Sequence, residues 1–321
     1  MAFYHRLNFW IAIILTLPFI SVANASAPQV KTQAPGYYRM MLGNFEITAL
    51  SDGTVNLPVG KLLGNTTPEK VEKALSLNFL KDPLETSVNG FLVNTGTKLV
   101  LIDTGAGNLF GPTLGNLVAN LKASGYQPEQ VDEIYITHMH PDHVGGLMSR
   151  EQLAFPNAIV RADQQEADAD FWLSQKHMDA APQEAKHSFQ GAMASLNPYV
   201  LAGKFKPFVG ETELIPGIRA VPSHGHTVGH TTYAVESNGQ KLILWGDLMH
   251  VASVQFAEPS VVMKFDTDSK SAAIERKKTF ADAAKQGYWV AGAHLPFPGI
   301  GHLRAMDGGY IWVPVNYSSL H

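Results

Sequence analysis

The stretch ITHMHPDHVGG, Ile136 to Gly146, places His138, His140, Asp142 and His143 within six positions. Imidazole nitrogens and a carboxylate suit a borderline divalent ion such as Zn²⁺, with Mn, Fe or Co also of fitting chemistry. His138 and His140 alternate after the apolar strand VDEIYIT and so point the same way, whereas Asp142 and His143 follow a proline that turns the chain. Two neighbouring ligand sets are therefore expected. The chain contains no cysteine, so any metal must be held by His and carboxylates, and disulfides are excluded. Gly145 and Gly146 let the backbone pack closely behind the motif.

One motif cannot complete two sites, so further donors must come from the ends of other strands. SHGHTVGH offers His224, His226 and His230, LILWGDLMH ends a strand with Asp247, and YWVAGAH ends another with His294. Asp103 in LVLIDTG closes an apolar strand with a carboxylate, which needs a partner when buried and can accept the second N–H of a ligand histidine.

The elements that must position these donors alternate along the chain. FEITALSDGTVNL alternates around an Asp-Gly pair, and GFLVNTGTKLVLIDTG joins two apolar runs through NTGT; both are read as hairpins. Helical spacing follows in PTLGNLVANLKASG, where Leu114, Leu117, Val118 and Leu121 share a face before a glycine stop. The second half offers strands at IRAVPS, TTYAVES, KLILWGD and YWVAGAH, with a helix over SKSAAIERKKTFADAAKQG. Strands and helices interleaved in both halves predict an α/β fold of sheets covered by helices.

The order LIDTG, THxHxDH, HTxGH, GD and a late AxAH resembles the metallo-β-lactamase superfamily over essentially the whole mature chain. Within it, ETSVNGFLVNTGTKLVLIDTG, GYQPEQVDEIYITHMHPDHVGGL and AHLPFPGIGH resemble methyl parathion hydrolase and its aryl-lactonase, dihydrocoumarin hydrolase-like relatives. The resemblance implies a four-layer αβ/βα sandwich with a dinuclear metal site at one edge of the two sheets. It implies that His138, His140 and His226 hold one ion, that Asp142, His143 and His294 hold the other, and that Asp247 bridges them. Asp103 and His230 are implied as supports beside the ligands, two ions per chain, most readily zinc, as cofactors, and a homodimer as the assembly.

The same resemblance places aromatic pocket walls at Phe110, Trp172 and Phe189, although Trp172 reads equally well as a core anchor. Leu62, His250, Met263 and Phe265 stand where the methyl parathion hydrolase pattern has Arg, Leu, Thr and Leu. Bulky Met263, Phe265 and a nearby His250 would crowd a tetrahedral phosphotriester more than a flat lactone.

The expected reaction follows from two metals, held by Asp142 and Asp247 among others, that lower the pKa of a bound water toward neutrality and so bridge a hydroxide. A phenol with a pKa near 10 leaves without a general acid, so aryl esters and dihydrocoumarin-type lactones are the expected substrates, with organophosphate triesters as a side activity. The alternatives are a methyl parathion hydrolase-type phosphotriesterase and a non-catalytic periplasmic metal-binding protein.

Composition sets the surroundings. With 321 residues, 45% hydrophobic and 16% charged, the chain can bury a large core. A net charge of −4 and no basic run argue against nucleic acid and for a small neutral substrate. His5 and Arg6, the apolar run Phe9 to Val22 and then ANA read as a signal peptide over 1–25, cleaved after Ala25. That run is too short for a membrane span of about 20 residues, so a periplasmic or secreted protein, free of the membrane after cleavage, is expected. Residues 26–40 read as an exposed tether and 41–321 as the hydrolase domain.

Overall fold

A computed structural model describes Met1 and residues 27–167, 172–183 and 185–319. The rest of the segment read as a signal peptide lies outside the described residues. The chain divides into a unit ending at Ala34, whose described part carries no helix or strand, and a unit from Pro35 onward.

The second unit carries two large sheets. The first has six strands: β1 (Tyr37–Leu42), β2 (Phe45–Leu57), β3 (Leu84–Asn94), β4 (Leu99–Ile102), β5 (Glu133–Tyr135) and β6 (Ile159–Arg161). Its first four strands are antiparallel, and β4, β5 and β6 run parallel. The second has seven: β7 (Thr212–Ile215), β8 (Ile218–Pro222), β9 (Thr231–Ser237), β10 (Gln240–Leu244), β11 (Trp289–Ala291), β12 (Ile300–Met306) and β13 (Gly309–Pro314). Only β10 and β11 pair in parallel in this sheet. A parallel pair needs a crossover, and helix α1 (Leu117–Ala123) supplies it between β4 and β5. Helices α2 (Pro141–Val144) and α3 (Lys186–Leu201) follow β5 and β6. Helix α4 (Ser269–Gln286) supplies the crossover between β10 and β11.

The burial pattern gives the layer order. Ile47, Phe91, Val100 and Ile102 of the first sheet pack with Ile218, Tyr233, Leu242 and Leu244 of the second, so the sheets face each other. The opposite face of the first sheet, Leu50, Leu92, Leu101 and Ile134, packs on Leu117 and Leu121 of α1 and on Ala192, Leu196 and Tyr199 of α3. Phe280 and Ala283 of α4 cover Trp245, Val290 and Leu303 on the outer side of the second. The result is the expected α/β four-layer sandwich.

Three local readings change. FEITALSDGTVNL is not a hairpin but the single strand β2, with a register shift between Ser51 and Gly53. Asp52 turns inward at this bulge, fully buried, and accepts the N–H groups of Ala106, Gly115 and Leu117 at 2.9, 2.9 and 3.0 Å. Residues 37–40, expected as the end of the tether, belong to β1, because alternate residues Tyr38 and Met40 bury against the sheet core. Leu114 precedes the helix expected to contain it, which starts only at Leu117. The Thr95–Lys98 hairpin between β3 and β4 and the helix over 269–286 match the expectation.

Candidate metal centre

Each candidate donor sits just beyond a strand, at one edge of the two sheets. His138 and His140 follow β5, and Pro141 then starts α2 while His140 remains extended, which a proline at the first helical position permits. His226 lies between β8 and β9, Asp247 follows β10 and His294 follows β11.

The donor atoms converge. His138 Nε2, His140 Nδ1 and His226 Nε2 lie 2.9, 3.2 and 3.0 Å apart. A tetrahedral zinc site with 2.0–2.1 Å arms has donor edges of about 3.3 Å, close to this triangle. In the second set, Asp142 Oδ2 lies 3.5 Å from both His143 Nε2 and His294 Nε2.

Asp247 joins the two sets. Its Oδ2 lies 3.3 Å from His226 Nε2 and 3.6 Å from His138 Nε2, its Oδ1 lies 3.1 Å from His143 Nε2, and both oxygens lie 3.1 Å from His294 Nε2. Four of the rings are held from behind. His143 Nδ1 is 2.8 Å from Asp103, His226 Nδ1 2.9 Å from Asp266, His294 Nδ1 2.9 Å from the Ser87 carbonyl and His138 Nδ1 3.1 Å from the Thr137 hydroxyl. Such contacts set ring orientation and leave the Nε2 atoms turned toward the cluster.

The donor set fits a cation. Asp247 Oδ1 and His143 Nε2 are buried without a hydrogen-bond partner, although they lie 3.1 Å apart. Buried polar atoms left without partners are costly, and a shared cation would satisfy both. Burial opposes protonation of His143, but Asp247, Asp142 and Asp103 raise its pKa well above the usual imidazole range. Against the same cost of burial, Asp247 and Asp266 push His226 up to about 9. These rings take up positive charge because carboxylates surround them, which is the demand a divalent ion meets.

Residues 84–299 match the family description Metallo-beta-lactamase superfamily. This chain belongs to that superfamily. As a superfamily member it is a metal-dependent hydrolase, and its candidate centre is formed by three overlapping donor groups among the described residues: His138, His140, His226 and Asp247; Asp142, His143 and His294; and Asp247, His250 and His294. It is similar to the solved structure of a hydrolase, AbOPH, in the beta lactamase superfamily, at 39% identity and a TM-score of 0.84, covering 90% of this chain and all of that one. It is also similar to AidC, a dizinc quorum-quenching lactonase solved with its product, at 28% identity and a TM-score of 0.81, covering 88% and 99% of the two chains. An N-acyl homoserine lactonase of Bacillus cereus is 24% identical over 207 residues, 59% of this chain and 74% of its own length.

The cleft of this metallo-β-lactamase superfamily member separates the residues expected as pocket walls. Phe110, His250 and Phe265 line it, together with Val55, Leu57, Leu114, Pro141, His187 and Ser188, and it opens on His140, Asp142, Asp247 and His294. Trp172 and Phe189 instead pack on each other in the core, with ring centroids 4.8 Å apart, and Trp172 meets His140 edge-on at 5.3 Å. Leu62 and Met263 pack with Val59, Leu63 and Val251 in a separate apolar cluster, because their side chains find a core there. His250 does more than face the cleft: its Nε2 lies 2.9 Å from Asp247 Oδ2. His230 is not among the donors; its Nε2 accepts the Asp247 N–H at 3.0 Å and its Nδ1 bonds the Ser223 carbonyl.

Asp266 and His187 are not among the residues that the sequence singles out. Asp266 meets His226 across 40 positions, and His187 meets Phe110 edge-on at 5.5 Å beside the cleft. Neither pairing leaves a spacing signal in the chain.

Proposed function

We propose that this chain hydrolyses lactones and aryl esters, with compact aryl lactones of the dihydrocoumarin type as its preferred class and organophosphate triesters as a side activity. The observation that carries this reading is the cleft itself. Its volume of about 290 Å³ is at the small end for ligand sites, and its apolar walls Val55, Leu57, Phe110, Leu114 and Phe265 lead directly to Asp142, Asp247 and His294.

Two divalent ions, most readily zinc, would supply Lewis acidity at this site, lowering the pKa of a water and drawing charge from the substrate oxygen. His138, His140 and His226 would hold one and Asp142, His143 and His294 the other, with Asp247 between the two sets. Asp103 and Asp266 keep the rings of His143 and His226 in register. Phe110 and Phe265 exclude water from one side and offer ring faces or edges to an aryl group. A phenolate leaves unaided, so the chain needs no acid for that class.

Phe265 and His250 are the residues that crowd a tetrahedral phosphotriester, since Met263 and Leu62 lie outside the cleft lining. A second reading, N-acyl homoserine lactones, is favoured by the similarity to AidC over most of both chains. A purified-protein panel of dihydrocoumarin, phenyl acetate, N-hexanoyl-homoserine lactone and methyl parathion, with and without chelator, separates these. Dihydrocoumarin turning over fastest supports the proposal, and methyl parathion fastest by a wide margin contradicts it. Metal uptake with no hydrolysis in any arm would leave the non-catalytic alternative. The proposal includes export, and a mature chain beginning at Ser26 by mass spectrometry would support that part.

A further inference from the structure

Glu166 lies beyond β6, fully buried, and is not one of the candidate metal donors. Its Oε1 accepts the N–H of Met139, the residue between His138 and His140, at 2.8 Å. Its Oε2 accepts the hydroxyl of Thr227, next to His226, at 2.8 Å, and the N–H of Gly229 at 2.9 Å. One carboxylate thus holds two chain segments that come from different sheets and carry the three donors of one set. The contact is close: a Cβ on Gly229 would lie 2.4 Å from the Glu166 nitrogen, so the glycine of HTVGH is needed for the approach.

We propose that Glu166 is a positioning residue that ties the His138–His140 arm to the His226 loop and so sets the cation affinity of that donor set alone. The proposal rests on the ligand assignment given under Proposed function. Charge-assisted acceptance of two backbone N–H groups and a hydroxyl fixes the loops without occupying any donor atom. A glutamine at this position turns one acceptor into a donor, which then faces the N–H of Met139 or of Gly229. The set formed by Asp142, His143 and His294 receives no hydrogen bond from Glu166 among the contacts of the described residues.

The test is titration of metal-free protein with Co²⁺, followed by calorimetry and visible absorption, for wild type, Glu166→Gln, Thr227→Val and, as a marker of the same set, His140→Ala. Wild type should bind two ions. Glu166→Gln should weaken one of them about 10–100-fold, the range for lost outer partners of ligands, with the spectral change seen in His140→Ala, and Thr227→Val should weaken the same ion by less. If both ions bind the two variants within about two-fold of wild type, or both weaken equally, the proposal is overturned. Should Glu166→Gln fail to fold, Thr227→Val decides by the same criteria. A wild type that binds no second ion would instead refute the ligand assignment.

Discussion

Asp103 Oδ2 lies 2.8 Å from His143 Nδ1, and the same carboxylate accepts the N–H and hydroxyl of Thr137 at 2.8 and 2.7 Å. The residue at the end of β4 therefore orients one ligand ring and anchors the start of the His138 arm. Asp103→Asn keeps the backbone, because asparagine also tolerates the φ of 57° found there. It replaces the carboxylate, and metal affinity at the His143 set should fall about 10–100-fold in a metal titration. Unchanged affinity would show that Asp103 does not support the His143 ligand.

Arg276 should matter for stability although it contacts none of the donors. Its guanidinium is buried and donates to the carbonyls of Leu248, Pro259 and Val261, which bracket the loop after Asp247. Arg276→Met removes the donor to the Leu248 and Pro259 carbonyls and leaves Val261 only the Gln255 side-chain N–H, and should cost about 3 kcal/mol in denaturant unfolding of the metal-free protein. Arg276→Lys should recover little, since an ammonium cannot span the three carbonyls. A loss below about 0.5 kcal/mol, the range of neutral surface changes, would contradict this.

The two glycines after His143 can be separated from ordinary turn glycines. A Cβ on Gly146 would lie 1.9 Å from the Thr104 carbonyl oxygen, whereas Gly111, at φ +85°, has nothing within 4 Å. Gly146→Ala should destabilise by about 3 kcal/mol or more and Gly111→Ala by about 1 kcal/mol. Equal melting temperatures for the two variants would contradict the packing argument.

Phe265 is 39% exposed at the cleft, with its ring centroid 5.2 Å from that of His250. Phe265→Leu widens the site without opening the core. The ratio of kcat/KM for methyl parathion to that for dihydrocoumarin should rise about ten-fold, the scale of small changes in an apolar pocket. A ratio that falls would show that the ring does not exclude the bulkier substrate.

The parts legible in the sequence are those whose signal is local. HxHxDH after an apolar strand, and single His or Asp residues at strand ends, are visible from a few neighbouring positions. The strands and the long helix over 269–286 follow from periodicity. Asp52 misleads because an Asp-Gly pair suits a hairpin turn as well as a bulge, and only its distant partners at 106, 115 and 117 decide between them. Asp266, Arg276 and Glu166 escape notice for a related reason: each acts on a segment that is not adjacent to it in the chain. Trp172 and Phe189 are aromatic in either setting, so residue type cannot separate core from pocket wall.

The proposed lactone hydrolysis requires an ion in each of the two donor sets that meet at Asp247. The deciding measurement is a Zn²⁺ titration of metal-free protein, with dihydrocoumarin hydrolysis followed against ions bound per chain. Activity should appear as binding approaches two ions per chain and be lost on chelation. Saturation at one ion, or hydrolysis that survives complete metal removal, would contradict it.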